Sequence, residues 1–365
     1  MWKALKHLSL GLALIVAAGG VLLFSDQGGR EGRRGPEHGP AEALHRKVRA
    51  GEKVRVALLK WVSSVTLDET LRGLLEGLAE RGFVEGQGME LQVFCAEGDM
   101  PTAVSMAQRA FGGDYDLVLT VSTPMLQVAA SANKQGRRVH IFGAVTDPYA
   151  AEVGISREDH RKHPAWLTGV GTFQPVRETL ELSRRLYPGL TRIGTVMNPS
   201  EACSQSCYGV AREVCESLGI ELDVVTVDNS SAVYEAASAL VSRGVQALVI
   251  GGDNTVESAF DSVVKAADGA RIPVLGYASM YAGRGALAGL GANYVDVGRV
   301  QGRLAGDIMK GLYPGDIPVE NVMPLKLSLN RQVASRLRDP WELPPEVVQG
   351  ASLVYGESGA LEVSV

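Results

Sequence analysis

Short apolar runs alternate with longer amphipathic ones along the chain from Val54 onward. VRVALLKW (54–61) predicts a buried strand, and LDETLRGLLEGLAERGF (67–83) predicts a helix because its apolar residues recur at helical spacing. The alternation continues with MELQVFCA, PTAVSMAQRAF, DLVLTVS, PMLQVAASANK and HIFGAVT. This order is typical of strand–helix units that build a parallel sheet.

A second series of the same kind runs from about 177 to 277, with RIGTVMN, ELDVVTV, ALVIGGD and IPVLGY as its strands. Between the two series, the segment 154–170 carries charges, two histidines and a proline, and it interrupts the rhythm. The pattern therefore predicts two similar α/β lobes joined near this segment.

The N-terminal segment 1–24 is a separate element. Lys3, Lys6 and His7 precede LSLGLALIVAAGGVLLF, which holds no charge over 8–24. This predicts an export signal or an uncleaved membrane anchor whose basic flank stays in the cytoplasm, with the rest of the chain outside. No cysteine near its end offers a site for lipid attachment. The Gly, Arg and Pro content of 25–52 predicts a flexible tether.

Composition and charge narrow the class of protein. Apolar residues make up 45% of the 365 residues and charged residues 21%, the balance of a soluble α/β protein. Residues 1–52 carry eight Lys and Arg against five Asp and Glu, a net charge of +3. The whole chain has a net charge of −5, so residues 53–365, the body of the protein, carry −8. An acidic body argues against nucleic acid as a partner.

Polar residues follow the predicted strands in both series. In open parallel sheets, ligands collect outside the carboxyl ends of the strands, so these residues are expected to line a cleft between the lobes. The same residue types also serve as helix N-caps, and that reading stays open for each position. The candidate ligand-binding residues are Ser63, Ser64, Ser122, Thr123, Thr146, Asp147, Asn198, Ser200, Glu201, Asp253, Asn254 and Tyr277.

Motifs for catalysis and cofactors are missing from the sequence. It contains neither GxGxxG nor GxxxxGK[ST], and neither GxSxG nor HExxH. Glu158, Asp159, His160 and His163 lie on a charged connector, where a solvated loop is expected instead of a metal site. We therefore expect binding instead of catalysis, with no cofactor and no metal.

Several segments give the chain a specific family resemblance. They include GLLEGLAERGFVEGQGMEL, STPMLQVAASA, AVTDPYAA, TGVGTFQPV, MNPSEACS, GGDNTVESA and GALAGLGANYVDVGRVQG. On these segments, 54–329 resembles a type I periplasmic binding protein, specifically the tryptophan- or tyrosine-type substrate-binding subunits of ABC importers. The resemblance implies two doubly wound, Rossmann-like lobes joined by three crossovers. It places 53–166 and 293–317 in the first lobe and 167–292 and 318–330 in the second, with 331–365 as an irregular tail.

The resemblance also implies roles in ligand binding. Ser122 and Thr123 would hold the carboxylate of an amino-acid-like ligand, and Asp147 or Asp253 would pair with its ammonium. Trp61, Tyr277 or Tyr281 would form an aromatic wall, with the protein core as the alternative for Trp61. Family members often carry an acid in the loop after the PVLG-like strand, where this chain has Ala278 and Ser279.

The expected partners are a small-molecule ligand and an ABC permease in the membrane, and the protein is expected to be a monomer. A ligand-sensing ectodomain and an α/β enzyme that modifies a small metabolite remain as alternatives. Cys203 and Cys207 stand four residues apart on one predicted helix, which favours free buried thiols over a disulfide.

Overall fold

A computed structural model describes residues 39–323, 325–356 and 359–362, the last four by their backbone alone. The predicted signal or anchor at 1–24 and residues 25–38 of the predicted tether lie outside the described residues. Among the residues that it describes, no helix is long and apolar enough to cross a membrane. The chain from Pro40 onward forms one compact unit.

The first lobe is built on a seven-stranded parallel sheet. Its order in space is β12-β6-β5-β4-β1-β3-β2. The strands β1, β4 and β5 lie in the middle and are buried almost throughout, which explains why their sequences read as continuous apolar runs. The strands are β1 Val54–Lys60, β2 Val84–Glu85, β3 Gly88–Cys95, β4 Leu117–Val121, β5 Val139–Val145, β6 Leu167–Gly171 and β12 Glu320–Asn321.

The second lobe is built on an eight-stranded mixed sheet in the order β15-β14-β13-β11-β10-β9-β7-β8. The strands β7 to β11 are parallel, β13 is antiparallel to β11, and β14 and β15 extend the sheet beyond β13. They are β7 Arg192–Met197, β8 Glu221–Thr226, β9 Ala247–Ile250, β10 Val274–Gly276, β11 Ala288–Gly291, β13 Lys326–Asn330, β14 Leu353–Gly356 and β15 Gly359–Glu362.

Helices cover the sheets of both lobes. The first lobe carries α1 Gly39–Arg49, α2 Val65–Glu80, α3 Met100–Gly112, α4 Thr123–Ala132 and α10 Tyr294–Met309. The second lobe carries α5 Val176–Leu186, α6 Ala202–Leu218, α7 Val233–Ser242, α8 Asn254–Ser258, α9 Phe260–Ala270, α11 Arg331–Ala334 and α12 Pro345–Gln349. Short 3-10 helices lie at Ser230–Ala232, Ser279–Arg284 and Pro314–Asp316.

The chain crosses between the lobes three times, as predicted. The crossovers connect β6 to α5, β11 to α10 and β12 to β13. The predicted change of lobe at 166/167 is wrong by five residues, because β6 pairs with β5 and completes the first sheet. The predicted change at 317/318 also comes too early, since β12 pairs with β6 before the chain crosses.

Two segments predicted to be irregular are ordered. Residues 39–49 of the predicted tether form helix α1, whose apolar face buries Ala41 and Leu44 against the first lobe. The predicted tail supplies β14 and β15 and buries Trp341 in the core of the second lobe. Both segments carry polar and apolar residues in short runs, so their packing comes from tertiary contacts and not from a strong local pattern.

Helices α2 and α10 are in direct backbone contact in the first lobe. A Cβ atom at Gly73 or Gly77 would collide with the backbone of α10, and one at Gly298 or Gly302 would collide with the backbone of α2. Glycine in a helix costs about 1 kcal/mol relative to alanine, so the four glycines are explained by this close approach.

Candidate functional site

The first lobe presents two strained turns at the carboxyl ends of β4 and β5. Ser122 caps helix α4 by accepting from the N–H of Met125 at 3.4 Å, and its φ is +95°. Ala144, near the end of β5, has a φ of +50°. Residues other than glycine adopt such angles at a cost of about 1–3 kcal/mol, and such strain concentrates at functional sites.

Thr123 lies at the start of α4 and is 1% exposed. Its Oγ1 has no hydrogen-bond partner among the described residues. A buried hydroxyl without a partner carries a desolvation penalty, so this atom keeps a hydrogen-bonding capacity that the described residues do not use. The N-terminal end of α4 also favours a negative charge at the same place.

The second lobe presents polar groups that bind one another. The Glu201 carboxylate accepts from the backbone N–H groups of Asn254 and Thr255, each at 3.0 Å. It also accepts from the Asn254 amide at 2.6 Å and the Thr255 hydroxyl at 2.7 Å. Glu201 therefore caps the start of α8 with both of its oxygens, although it precedes a different helix in sequence.

Asp253 is the second buried carboxylate of this lobe. It accepts from the N–H of Asn198 at 2.6 Å, the hydroxyl of Ser204 at 2.7 Å and the N–H of Val256 at 2.9 Å. Burial, together with the charge of the nearby Glu201 carboxylate, raises the pKa of Asp253 to about 7. The three donors favour the charged form but do not outweigh the loss of water.

Glu257, on α8, joins the two lobes. Its carboxylate accepts from the hydroxyl of Thr66, in α2 of the first lobe, at 3.0 Å and from the N–H of Gly252 at 2.7 Å. Burial raises the pKa of this carboxyl group. Sequence reasoning missed Glu257 and Thr66 because each stands inside a helical pattern and not at a strand end.

Two cavities lie between the lobes at these strand ends. The outer one has a volume of 280 Å³ and is lined from both sheets, with Trp61 and Pro124 on one side and Asn198, Glu201 and Asn254 on the other. The inner one has a volume of 20 Å³, and its lining residues are Thr66, Leu67, Thr123, Ala144, Thr146, Gln174, Cys203, Gly252, Asp253, Asn254, Glu257 and Tyr294. Among the described residues, no Lys, Arg or His lines either cavity.

The structure brings most of the predicted residues to these cavities. Asn198, Ser200, Glu201 and Asn254 line the outer cavity, and Thr123, Thr146, Asp253 and Asn254 line the inner one. Ser122 is the N-cap of α4 and directly precedes Thr123, the first residue of that helix. Trp61 packs in the first core and also borders the outer cavity, so its predicted role as a wall of the ligand site stays a prediction.

Besides Ser122, four predicted residues lie outside the cavity linings. Ser64 caps α2, and Ser63 donates its hydroxyl to Glu97 at 2.8 Å. The Asp147 carboxylate accepts from the N–H groups of the following turn and from Arg157 at 2.7 Å. Tyr277 is 4% exposed and packs in the core of the second lobe.

The described cysteines are unpaired. Cys203 donates to Glu201 at 3.3 Å and borders the inner cavity. Burial raises the pKa of Cys203 well above its usual value and also raises that of Cys207. Neutral thiols of this kind are poor nucleophiles, so they serve the site as small polar packing groups.

Gln174 is the other residue that the sequence did not reveal. It lies in the first crossover, 5% exposed, and borders the inner cavity. Its place inside the quoted segment TGVGTFQPV is a weak signal, because that segment has neither strand nor helix periodicity. Its hydrogen-bond partner, Tyr294, lies 120 residues later in the chain, and the Tyr294 hydroxyl is 2.7 Å from Gln174 Nε2.

Comparison with known proteins gives a consistent result. The model of the family described as ABC transporter substrate binding protein matches residues 55–339. The tyrosine-binding protein of Clostridioides difficile strain R20291 is 28% identical over 337 residues, 92% of this chain and 93% of that protein. A Streptococcus pneumonia ABC domain solved in complex with L-Trp is 27% identical, with a TM-score of 0.77 over 83% of this chain and 100% of that chain.

A second solved structure is similar over most of its length. The ligand-free, open structure of a substrate binding protein with adhesive properties from Clostridium difficile is 28% identical. It covers 80% of this chain and 96% of that chain, with a TM-score of 0.59. The chain therefore superposes more closely on the L-Trp complex than on this open structure.

Proposed function

The chain belongs to the family of ABC transporter substrate binding proteins, and from this premise we propose that it delivers an amino-acid-like ligand to an importer. Proteins of this family bind a solute outside the cytoplasm and are not enzymes. The finer proposal is an importer subunit that holds a small amino acid of the tyrosine or tryptophan kind between its lobes. The observation that carries it is the outer cavity, to which both lobes contribute strand ends.

The size of the outer cavity supports a small ligand. Its 280 Å³ lies just below the range of about 300–1,000 Å³ for small-molecule sites. Trp61 and Pro124 supply apolar surface on the first-lobe side, where an aromatic side chain would pack.

The ligand carboxylate is assigned to the start of α4. There the unpartnered Thr123 hydroxyl would donate to it, and the helix dipole would stabilise its charge. Asp147, which was predicted to pair with the ligand ammonium, is left out of the proposed site because Arg157 and the turn N–H groups already occupy its carboxylate.

The partner in this proposal is an ABC permease. Segment 8–24 would anchor the protein as a monomer near that permease, or would be cleaved after export. Residues 39–49 do not belong to the predicted tether, because α1 packs on the first lobe.

A thermal-shift screen of the twenty amino acids tests the proposal. We expect L-tyrosine or L-tryptophan to raise the unfolding temperature, since a ligand at 100 times its Kd stabilises the native state by about 2.7 kcal/mol. Titration calorimetry then measures the Kd of the ligand. If no amino acid shifts the transition and calorimetry gives no heat, the proposal is wrong.

Thr123→Val tests where the carboxylate lies. The change removes the hydroxyl at nearly constant volume, so we expect the affinity to fall about tenfold, the equivalent of 1.4 kcal/mol. Thr123→Ser keeps the hydroxyl and serves as the control. Equal affinity in Thr123→Val and the wild type would place the carboxylate elsewhere.

A further inference from the structure

The first lobe carries a surface pocket of 490 Å³ beside the cavities between the lobes. Helix α4, the turn after it and two parts of the segment between β5 and β6 line this surface pocket. Its lining includes Gln127, Lys134, Ala151, Glu152, Pro164 and Trp166. Among the described residues that line it, only Gln127 also lines the outer cavity, and none lines the inner one. The surface pocket is therefore distinct from the candidate site described above.

The apolar wall of the surface pocket is fixed by the fold. The Trp166 ring stacks on the buried His140 ring, with 6.4 Å between centroids and 8° between planes. Gly136 packs so close to this indole that a Cβ atom there would lie 2.5 Å from Cδ1 of Trp166. The Pro164 carbonyl accepts from the N–H of Leu167 at 2.9 Å. A flat apolar group of a ligand can pack on such a wall without first ordering it.

The turn that carries Lys134 is held by a buried asparagine. Asn133 is fully buried, and its Nδ2 donates to the carbonyl of Arg138 at 2.8 Å. Its Oδ1 accepts from the N–H groups of Arg137 at 2.9 Å and Arg138 at 3.3 Å. Lys134 therefore extends from an ordered backbone next to the wall.

The loop that carries Glu152 is also tied to the helix. Gln127 Nε2, on α4, donates to the carbonyl of Ala151 at 3.2 Å. Glu152 itself has a φ of +58°, in the left-handed region that favours glycine. Residues other than glycine adopt this region at a free-energy cost, and such residues concentrate at functional sites.

The two charged side chains of the lining have no partners in the protein. Lys134 and Glu152 are both exposed, and neither side chain has a hydrogen bond or an ion pair with any described residue. The surface pocket thus offers one positive and one negative group beside an apolar wall. A ligand that carries both charges would meet attraction at each, whereas a simple anion would be repelled by Glu152 and a simple cation by Lys134.

The size of the surface pocket favours a ligand larger than one amino acid. Its 490 Å³ falls within the range of about 300–1,000 Å³ for small-molecule sites, while the outer cavity measures 280 Å³. A dipeptide adds one residue to an amino acid and keeps one carboxylate and one ammonium. It therefore fits the surface pocket better than the outer cavity.

We propose that the surface pocket binds an aromatic dipeptide, with the ring against Trp166 and Pro164, the carboxylate at Lys134 and the ammonium at Glu152. This binding activity goes beyond the proposed function and does not depend on it. Every group that it uses lies on the first lobe.

Calorimetry on the full chain tests the proposal with glycyl-L-tryptophan as the probe. Glycyl-L-alanine lacks the ring, glycyl-L-tryptophan amide lacks the carboxylate, and N-acetylglycyl-L-tryptophan lacks the ammonium. For the wild type we expect loss of the ring to weaken binding about tenfold. Loss of either charge should weaken it about three- to fivefold, because ion pairs of exposed side chains are weak.

Two variants assign the charges. In Lys134→Met, glycyl-L-tryptophan and its amide should bind equally, and in Glu152→Gln, the free and acetylated dipeptides should bind equally. Both side chains are exposed, so neither change should disturb folding. Lys310→Met, an exposed lysine at the end of α10, is the matched control and should keep both ratios. Thr123→Val should leave the affinity for the dipeptide unchanged, because Thr123 does not line the surface pocket.

Three outcomes overturn the surface pocket as a dipeptide site. They are binding of glycyl-L-tryptophan weaker than about 1 mM, wild-type ratios in both Lys134→Met and Glu152→Gln, and loss of dipeptide binding in Thr123→Val, which would place the dipeptide between the lobes. The proposed function stands in each case if L-tyrosine or L-tryptophan binds. Dipeptide binding with the expected ratios, but no binding of any amino acid, supports the surface pocket and refutes the proposed function.

Discussion

The two lobes meet the cleft with polar groups of opposite character. On the second lobe, Glu201 and Asp253 are held by hydrogen bonds to neighbours in the same lobe, so the polar surface is complete before a ligand arrives. On the first lobe, Thr123 has a hydroxyl without a partner, and Ser122 and Ala144 hold strained backbone angles.

This difference separates stability from recognition. A hydrogen bond already made within the second lobe contributes to the stability of the fold. Its donor and acceptor keep little capacity to bind a ligand. A group without a partner on the first lobe lowers stability slightly and gains free energy when a ligand satisfies it. The comparison predicts that equivalent substitutions on the two sides of the cleft change different properties.

Asp253→Ala should have the largest effect. It leaves the N–H groups of Asn198 and Val256 and the hydroxyl of Ser204 without their acceptor in a buried place. We expect the free energy of unfolding in urea to fall by about 3 kcal/mol. On the other side, Thr123→Val should change it by less than about 0.5 kcal/mol. Equal losses in both variants would contradict the comparison.

The response to acid should also differ between the lobes. His140, in β5, is fully buried, lies 2.9 Å from the Thr120 hydroxyl and packs beside Phe111 and Trp166. Burial lowers the pKa of His140 from 6.5 to about 3. Between these values the unfolded chain binds a proton that the native state does not, so stability falls as the pH falls.

His140→Leu removes this loss. Between pH 6.5 and pH 5, the wild type should lose about 2 kcal/mol through His140, at about 1.4 kcal/mol per pH unit, and the variant should not. Asp253 acts in the opposite direction: its raised pKa stabilises the native state as the pH falls from about 7 towards 3.8. Urea titrations at several pH values measure both slopes, and parallel curves for the wild type and His140→Leu would refute the assignment.

Ser122→Gly should have the smallest effect and a distinctive sign. Glycine adopts a φ of +95° without strain, which offsets the lost cap and the greater freedom of the unfolded chain. We expect the free energy of unfolding to stay level or to rise by up to about 1 kcal/mol. Ser64→Gly is the matched control, because Ser64 caps α2 with an ordinary φ of −148°.

For Ser64→Gly we expect a loss of about 0.5–1 kcal/mol. A similar loss in Ser122→Gly would mean that the first-lobe turn stores no strain. Thermal unfolding of the two variants beside the wild type decides between these outcomes.

The sequence predicts most of the fold because the lobes consist of local units with a clear period. The strand at 54–61 and the helix at 67–83 lie within three residues of β1 and α2 at both ends. Helix α1 and strands β14 and β15 were missed, since their packing depends on partners far away along the chain. The β6 boundary was missed because this short strand follows the connector directly and its sequence does not differ clearly from it.

In the candidate site, too, features set by the local sequence pattern could be predicted, and features set by contacts far along the chain could not. Residues at strand ends, such as Thr123 and Asp253, could be predicted because parallel topology alone brings them to one edge. Whether a carboxylate is free depends on donors that the fold supplies. Asp147 meets Arg157 and a turn, while Glu257 faces the inner cavity from within a helix. No local pattern distinguishes these two acids.

The contact between α2 and α10 has a consequence for the order of folding. The first lobe receives α10 only after the chain has passed through the parallel strands of the second lobe. During synthesis from the N-terminus, the glycine-lined groove of α2 therefore stays unfilled until 214 further residues have been made, the distance from Glu80 at the end of α2 to Tyr294. The first lobe to be made is thus completed late, and a chain truncated before Tyr294 would leave α2 without its partner.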